Sequence, residues 1–180
     1  MKLFMKIVRE SIFVLIIATL LSSIGGIALK SVEESLVTIV PLIIILPALN
    51  DMIGDFGIIL VSRFTTALYM NKKIKIVAKH LFKDVFLISL ISAIYIAVIG
   101  TFFSLSKGFS FNAVFLLKMI VLTLITTTGL VLINFLIAFF AGKYVYKKKI
   151  DPDDVLIPLT TSIADLGAMI ILSLLVLWLF

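Results

Sequence analysis

Long apolar runs that alternate with short polar segments make up almost the whole of this chain. Five runs are long enough to cross a bilayer as helices, because a hydrocarbon core about 30 Å thick needs roughly 20 apolar residues of helix. They occupy approximately residues 10–29, 36–62, 85–104, 111–141 and 155–180. No long linker rich in proline, glycine or serine separates them, so we expect a single membrane domain over residues 1–180 and no soluble regulatory domain. The predicted fold class is all-α and integral to the membrane, with five transmembrane helices in each subunit.

The composition indicates that lipid, rather than water, surrounds most of the chain. Hydrophobic residues make up 62% of it and charged residues 14%, and the mean hydropathy is +1.29. The sequence has no cysteine, which excludes a disulfide framework and a thiolate metal site. A net charge of +6 would suggest nucleic-acid binding in a soluble protein, but here the basic residues lie in short segments beside the apolar runs. We therefore expect the lipid bilayer as a partner and no nucleic acid.

The basic residues are distributed unevenly between the two sides of the predicted spans. Of the 16 lysines and arginines, all but Lys30, Lys107 and Lys118 lie before the first span, after the second or after the fourth. Positive charge is retained on the cytoplasmic side of a membrane. The pattern thus predicts a cytoplasmic N-terminus, an outer C-terminus and a multi-pass protein of the plasma membrane.

The first run has an alternative interpretation as a signal peptide, because a basic start precedes an apolar stretch that ends in small residues. The run is long for that purpose, however. Ala18, Ser22 and Gly26 also recur at every fourth position, which is typical of helices packed closely in lipid. We interpret the run as a membrane span and the small residues as a packing surface.

The basic segment between the second and third spans has its own amphipathic pattern. Ile74, Val77, Ala78 and Leu81 fall on one helical face, and most of the lysines fall elsewhere. This pattern predicts a separate helix that lies on the membrane surface.

Two aspartates interrupt the second apolar run. Asp51 and Asp55 are four residues apart, which places them on one helical face, and Asn50 lies beside the first of them. A carboxylate at mid-membrane costs roughly 2.5 to 3.5 kcal/mol on insertion scales, so it faces a water-filled cavity, a partner or an ion. The strip of oxygen atoms predicts a cation pathway.

A third aspartate, Asp165, interrupts the fifth run. Thr161 and Ser162 precede it by one helical turn and share its face. At about 1.5 Å of rise per residue, Asp51 and Asp165 lie at similar depths, roughly 18 and 16 Å from the inner surface. Hard cations such as Mg²⁺ and Ca²⁺ prefer oxygen ligands. The predicted metal-binding residues are therefore Asp165, Asp51, Asp55, Asn50, Thr161 and Ser162.

A second group of acids precedes the fifth span. Asp151, Asp153 and Asp154 place three negative charges within four residues, and one of them is expected to cap the helix. We expect the others to form a cytoplasmic vestibule that raises the local cation concentration.

Sequence motifs around the two carboxylate-bearing spans carry a family resemblance. In and after the second span they are Pro47, Gly54–Asp55 and Ser62–Thr66, and around the fifth they are Asp151–Val155, Pro158 and Asp165. These motifs and their spacing resemble the membrane domain of MgtE-type magnesium channels and, more closely, their eukaryotic solute-carrier relatives. Asp55 and Asp154 stand where that family has asparagine.

The resemblance implies a homodimer of five-span subunits, in which the second and fifth helices line a pore at the dimer interface. It also implies that Asp165 contributes to a central ion site and that the protein is a transporter and not an enzyme. The implied substrate is Mg²⁺, with Ca²⁺, Mn²⁺ and Co²⁺ as further candidates.

The sequence is compatible with two alternatives to a magnesium channel. The first is a cation exchanger that couples divalent cation transport to Na⁺ or H⁺. The second, which is remote, is an intramembrane aspartyl protease, since two membrane aspartates can share a proton and activate water. Such enzymes carry a Gly-x-Gly-Asp motif, and in this sequence Met52 occupies the position of its first glycine.

Overall fold

The computed structural model describes residues 2–108, 110 and 112–180. These residues form six helices: α1 (Lys2–Lys30), α2 (Glu33–Thr38), α3 (Val40–Tyr69), α4 (Ile74–Leu105), α5 (Ala113–Lys147) and α6 (Pro152–Leu179). The described residues contain no strand. Five helices are long and apolar enough to cross a membrane, namely α3 to α6 and the Ile12–Lys30 part of α1. The predicted all-α class and the five spans are confirmed.

The start of the second span differs from the expected position. The predicted run began at residue 36, whereas residues 33–38 form the short helix α2 and the chain leaves helical geometry at Ile39. Helix α3 then begins at Val40, with Pro41 in its first turn, where the missing N–H of proline removes no helical hydrogen bond. The apolar run therefore contains a break that hydrophobicity alone does not indicate.

The prediction of a separate surface helix between the second and third spans is wrong. Residues 74–83 are the first part of α4, which continues without interruption to Leu105. The apolar face was identified correctly, but the protein covers it: Ala78 is buried, and Ile74 and Leu81 pack against the same core cluster. Contact with the bundle, rather than with lipid headgroups, satisfies this face.

Helices α3 and α5 form the centre of the bundle. Each of them packs against the other and against both α4 and α6, so α4 and α6 lie on opposite sides of the pair. Helix α1 makes its main contact with α6. At Gly25 the two backbones approach closely, since a Cβ atom there would lie 3.2 Å from the Cα atom of Leu166. Helix α1 is thus fixed to the outer side of α6.

The buried side chains form two apolar clusters, one above the other along the bundle. The first contains Leu49 and Ile53 of α3, and the second contains Phe56 and Leu60. The boundary between the clusters falls in the segment of α3 that carries the carboxylates. The core is therefore interrupted at the depth of the candidate site.

Candidate cation site on α3 and α6

The two carboxylates of α3 lie on its exposed face. Asp51 and Asp55 are both exposed, and Leu49 and Ile53 of the opposite face are fully buried in the core. The i, i+4 spacing places both acids on one side of the helix, and burial of the other side turns them outward. A strip of two negative charges therefore lies on the outer surface of a single chain, in the middle of an apolar span.

Asn50 lies beside this strip with an unused acceptor. The residue is half-buried, and its Oδ1 atom is buried without a hydrogen-bond partner in the described part of the chain. A buried amide oxygen that lacks a donor is unfavourable. This oxygen thus remains available to a ligand or to water next to Asp51.

Asp165 of α6 is half-buried, accepts a hydrogen bond from α1 and lies within electrostatic range of an acid of α3. The Ser22 hydroxyl of α1 donates a hydrogen bond to Oδ2 of Asp165, with an oxygen–oxygen distance of 3.2 Å. From α3, Asp51 is close enough to interact electrostatically with Asp165. Residues from α1, α3 and α6 therefore meet around this carboxylate.

The two hydroxyl residues before Asp165 are engaged within α6. Thr161 donates to the carbonyl of Ile157 at 2.9 Å, and Ser162 donates to the carbonyl of Pro158 at 2.8 Å. Ser162 is also almost completely buried. Because both protons are used, only the hydroxyl oxygen lone pairs remain for a cation or its water.

The acids that precede α6 include the helix cap. The Asp151 carboxylate accepts a hydrogen bond from the backbone N–H of Asp153 at 3.0 Å, as expected for an N-cap residue. Asp151, Asp153 and Asp154 are all near enough to Tyr69 to interact electrostatically with it. These acids therefore lie beside the end of α3, at the same end of the bundle as most of the basic residues.

The candidate residues do not form a closed metal cage within one chain. Among residues 2–108, 110 and 112–180, no three Asp, Glu or His side chains come together closely enough to hold a metal ion. Asp51 lies within electrostatic range of Asp165, whereas Asp55, one turn further along α3, and the acids before α6 lie closer to the basic end of the bundle. The acids are distributed along a surface rather than gathered at a point.

Sequence reasoning missed the role of Ser22. The Ala18, Ser22 and Gly26 repeat was interpreted as a packing surface, and Ala18 is indeed buried, but Gly26 has open space around it. The hydrogen bond from Ser22 to Asp165 joins residues 143 positions apart. Only the packing of α1 on α6 brings them together.

Asn134 of α5 is a second polar residue whose position the sequence did not reveal. It is fully buried, and neither its Oδ1 nor its Nδ2 atom has a partner among the described residues. A Cβ atom added at Gly57 would lie 3.0 Å from Nδ2 and 3.2 Å from Thr160, so the three helices meet here. This polar contact lies within the second apolar cluster, between Phe56 and Leu60 of α3 and between Val131 and Ala138 of α5.

A comparison with protein-family models identifies the chain. The model of MgtE, described as a divalent cation transporter, matches residues 46–175, which is more than half of the sequence. The chain belongs to the MgtE family. Searches of curated proteins and of solved structures gave no match.

Membership in the MgtE family establishes the general activity of this multi-pass membrane protein as divalent cation transport. The matched segment includes Asp51, Asp55 and Asp165 together with the acids before α6. Helix α1, and with it Ser22, precedes the matched segment.

Proposed function

We propose that this MgtE-family protein transports Mg²⁺ through an acidic pathway lined by α3 and α6. The observation that carries the proposal is the outward-facing pair Asp51 and Asp55 at mid-span, with Asp165 beside Asp51. Each carboxylate at this depth costs roughly 2.5 to 3.5 kcal/mol unless water, a partner or an ion compensates for it. Three such groups along two adjacent helices are best explained by a cation pathway.

A homodimer provides the environment that these carboxylates need. In a single chain Asp51 and Asp55 lie on the exposed side of an apolar helix. Without a second protein surface against this side, both carboxylates would face lipid. A second copy that covers this face shields both acids from hydrocarbon and encloses a polar space between two copies of α3 and α6. The pore then lies at the dimer interface and contains two copies of every acid.

The distribution of the acids favours a hydrated ion. Mg²⁺ gives up its waters reluctantly and is usually held by one or two carboxylates and several waters. Asp51 and Asp165 supply two carboxylates per chain, and no closed cage is present among the described residues. We assign Asp51 and Asp165 as the residues that hold the ion, by hydrogen bonds to its bound waters. Asp55 is the next carboxylate along the path. Oxygen atoms of Asn50, Thr161 and Ser162 are secondary acceptors.

We assign the acids before α6 to the cytoplasmic mouth of the pathway in a plasma-membrane protein. Asp151 also caps the helix, and all three acids, Asp151, Asp153 and Asp154, add negative charge to this vestibule. The support for this orientation is the cluster of basic residues at the same end of the bundle, which positive-inside insertion places in the cytoplasm.

The test is ion flux into liposomes that contain the purified full-length protein. We expect Asp165→Asn, which keeps the size of the side chain and removes its charge, to reduce Mg²⁺ flux by about tenfold or more, the effect of about 1.4 kcal/mol. Asp84→Asn is the matched control, because Asp84 is an exposed acid on α4 outside the strip. Wild-type flux in Asp165→Asn would overturn the assignment.

The same assay separates the remaining alternatives. Comparison of Mg²⁺ with Ca²⁺, Mn²⁺ and Co²⁺ measures selectivity. Flux that continues without a Na⁺ or pH gradient supports a channel, whereas flux that requires one of these gradients supports an exchanger.

A further inference from the structure

A cavity of about 340 Å³ lies between the end of α3 and the beginning of α4, away from the candidate cation site. Its polar lining consists of Ser62, Arg63 and Thr66 from α3 and Lys72 from the connecting segment. No carboxylate lines it. The nearest acid along α4 is Asp84, which lies one turn beyond Leu81, the last lining residue of that helix. The cavity therefore carries a net positive charge.

The donors in this cavity are not used by the protein. Arg63 and Lys72 form no hydrogen bond or ion pair with the described part of the chain, and the Ser62 hydroxyl likewise has no partner there. Thr66 differs, since its hydroxyl donates to the carbonyl of Ser62 at 2.8 Å. A guanidinium, an ammonium and a hydroxyl group thus point donors at one space, which is the arrangement that binds phosphate oxygens.

The position of the cavity indicates where the phosphate comes from. Arg63 lies six residues, or about 9 Å, before the end of α3, and Lys72 lies just beyond it, at the depth of the lipid headgroups. The remaining walls are apolar, formed by Ala67, Val77 and Leu81. Basic pockets between transmembrane helices at the cytoplasmic side are typical sites for anionic lipid headgroups.

We propose that this cavity binds a phosphate ester, supplied by an anionic phospholipid of the surrounding leaflet. Arg63 holds the phosphate through paired N–H groups, Lys72 adds a point charge from the connecting segment, and Ser62 donates a third hydrogen bond. The apolar wall accommodates the first carbons of the lipid. Its lining residues are not among the carboxylates of the proposed cation pathway, so the assignment of this site does not rest on the assignment of that pathway.

The experiment measures lipid binding to the detergent-solubilised full-length protein by native mass spectrometry, in which each bound lipid adds its own mass. Phosphatidylglycerol is titrated against phosphatidylcholine, whose choline cation cancels the phosphate charge. We expect one tightly bound phosphatidylglycerol per chain. In Lys72→Gln its dissociation constant should rise about fivefold, the effect of one charge near a membrane surface.

Lys73→Gln is the matched control, because Lys73 is the exposed neighbour of Lys72 and does not line the cavity. Equal loss of binding in Lys72→Gln and Lys73→Gln would show general attraction to a basic surface and would overturn the site. Equal binding of phosphatidylcholine and phosphatidylglycerol would also overturn it. Arg63→Gln should weaken binding more than Lys72→Gln, since it removes the paired donors.

Inorganic phosphate, added as a third ligand, distinguishes the two sources of the phosphate group. If the lipid is the source, phosphate at millimolar concentration leaves bound phosphatidylglycerol in place, because it lacks the apolar contacts. If phosphate at that concentration displaces the bound phosphatidylglycerol from the wild-type protein, a soluble phosphate is the ligand and the lipid assignment is overturned.

Discussion

Removal of the Ser22 hydroxyl tests whether α1 contributes to cation binding. The hydroxyl donates to Oδ2 of Asp165 at 3.2 Å in a partly buried site. Hydrogen bonds to charged groups contribute about 1.5 to 3 kcal/mol. This bond is long and partly solvated, so we take about 1 kcal/mol, which corresponds to about a fivefold change in an equilibrium constant.

The direction of the effect depends on whether Ser22 competes with the ion or orients its ligand. An ionised carboxylate accepts about four hydrogen bonds on its two oxygens, and Ser22 occupies one of these positions. The other oxygen of Asp165 remains free for the ion or its water. Orientation therefore outweighs competition, and Ser22→Ala should raise the half-saturating Mg²⁺ concentration about fivefold while the maximal flux stays near the wild-type value.

The assay is initial Mg²⁺ flux into liposomes as a function of Mg²⁺ concentration. Ser23→Ala is the control, because the Ser23 hydroxyl is exposed and donates to the carbonyl of Thr19 in its own helix. Ser22→Thr retains a hydroxyl and should restore much of the affinity. The reasoning is refuted if Ser22→Ala has the wild-type Mg²⁺ dependence or if Ser23→Ala shifts it equally.

Two further predictions concern stability, measured as thermal unfolding of the purified protein in detergent. Gly100→Ala introduces a Cβ atom that overlaps the buried side chain of Ile45, so we expect a loss of about 1 to 3 kcal/mol, whereas Gly26→Ala, with open space around it, should be neutral. Asp151→Ala removes the cap of α6 and should cost about 1 kcal/mol, whereas Asp151→Asn retains an acceptor and should behave like the wild type. Equal melting temperatures within either pair would contradict the corresponding contact.

The five spans could be predicted because each depends on a single local property, the length of an apolar run. The ends of the helices could not be predicted in this way. Helix α3 continues past the apolar run to Tyr69, and α4 begins at Ile74, well before its apolar run. Lysine-rich segments are good helix formers and continue a helix into water, so the change in polarity marks the membrane boundary rather than the helix end.

The shared face of Asp51 and Asp55 could also be predicted, because helical spacing fixes it. The contact between Ser22 and Asp165 could not. Helix α1 is apolar on most sides, with Phe13, Leu20 and Ile24 exposed on the chain, and its small-residue repeat predicts a packing surface without indicating which helix meets it. In lipid, side-chain packing rather than hydrophobicity determines which face of a helix contacts its neighbour, and packing depends on the shapes of both helices.

The charge of the exposed side chains on α3 changes from negative to positive along the helix, and this change links the two proposed sites. Asp51 and Asp55 are followed on this helix by the exposed Arg63, about 12 Å beyond Asp55. At that distance a unit charge repels a monovalent cation at Asp55 by about 1.4 kcal/mol at an effective dielectric constant of about 20, and a divalent ion by twice as much. A carboxylate at 4 Å attracts the same monovalent charge by about 4 kcal/mol, so Arg63 weakens cation occupancy without preventing it. An anionic phosphate bound by Arg63 and Lys72 would cancel most of this repulsion, so the proposed lipid site would favour cation passage toward the basic end of the bundle.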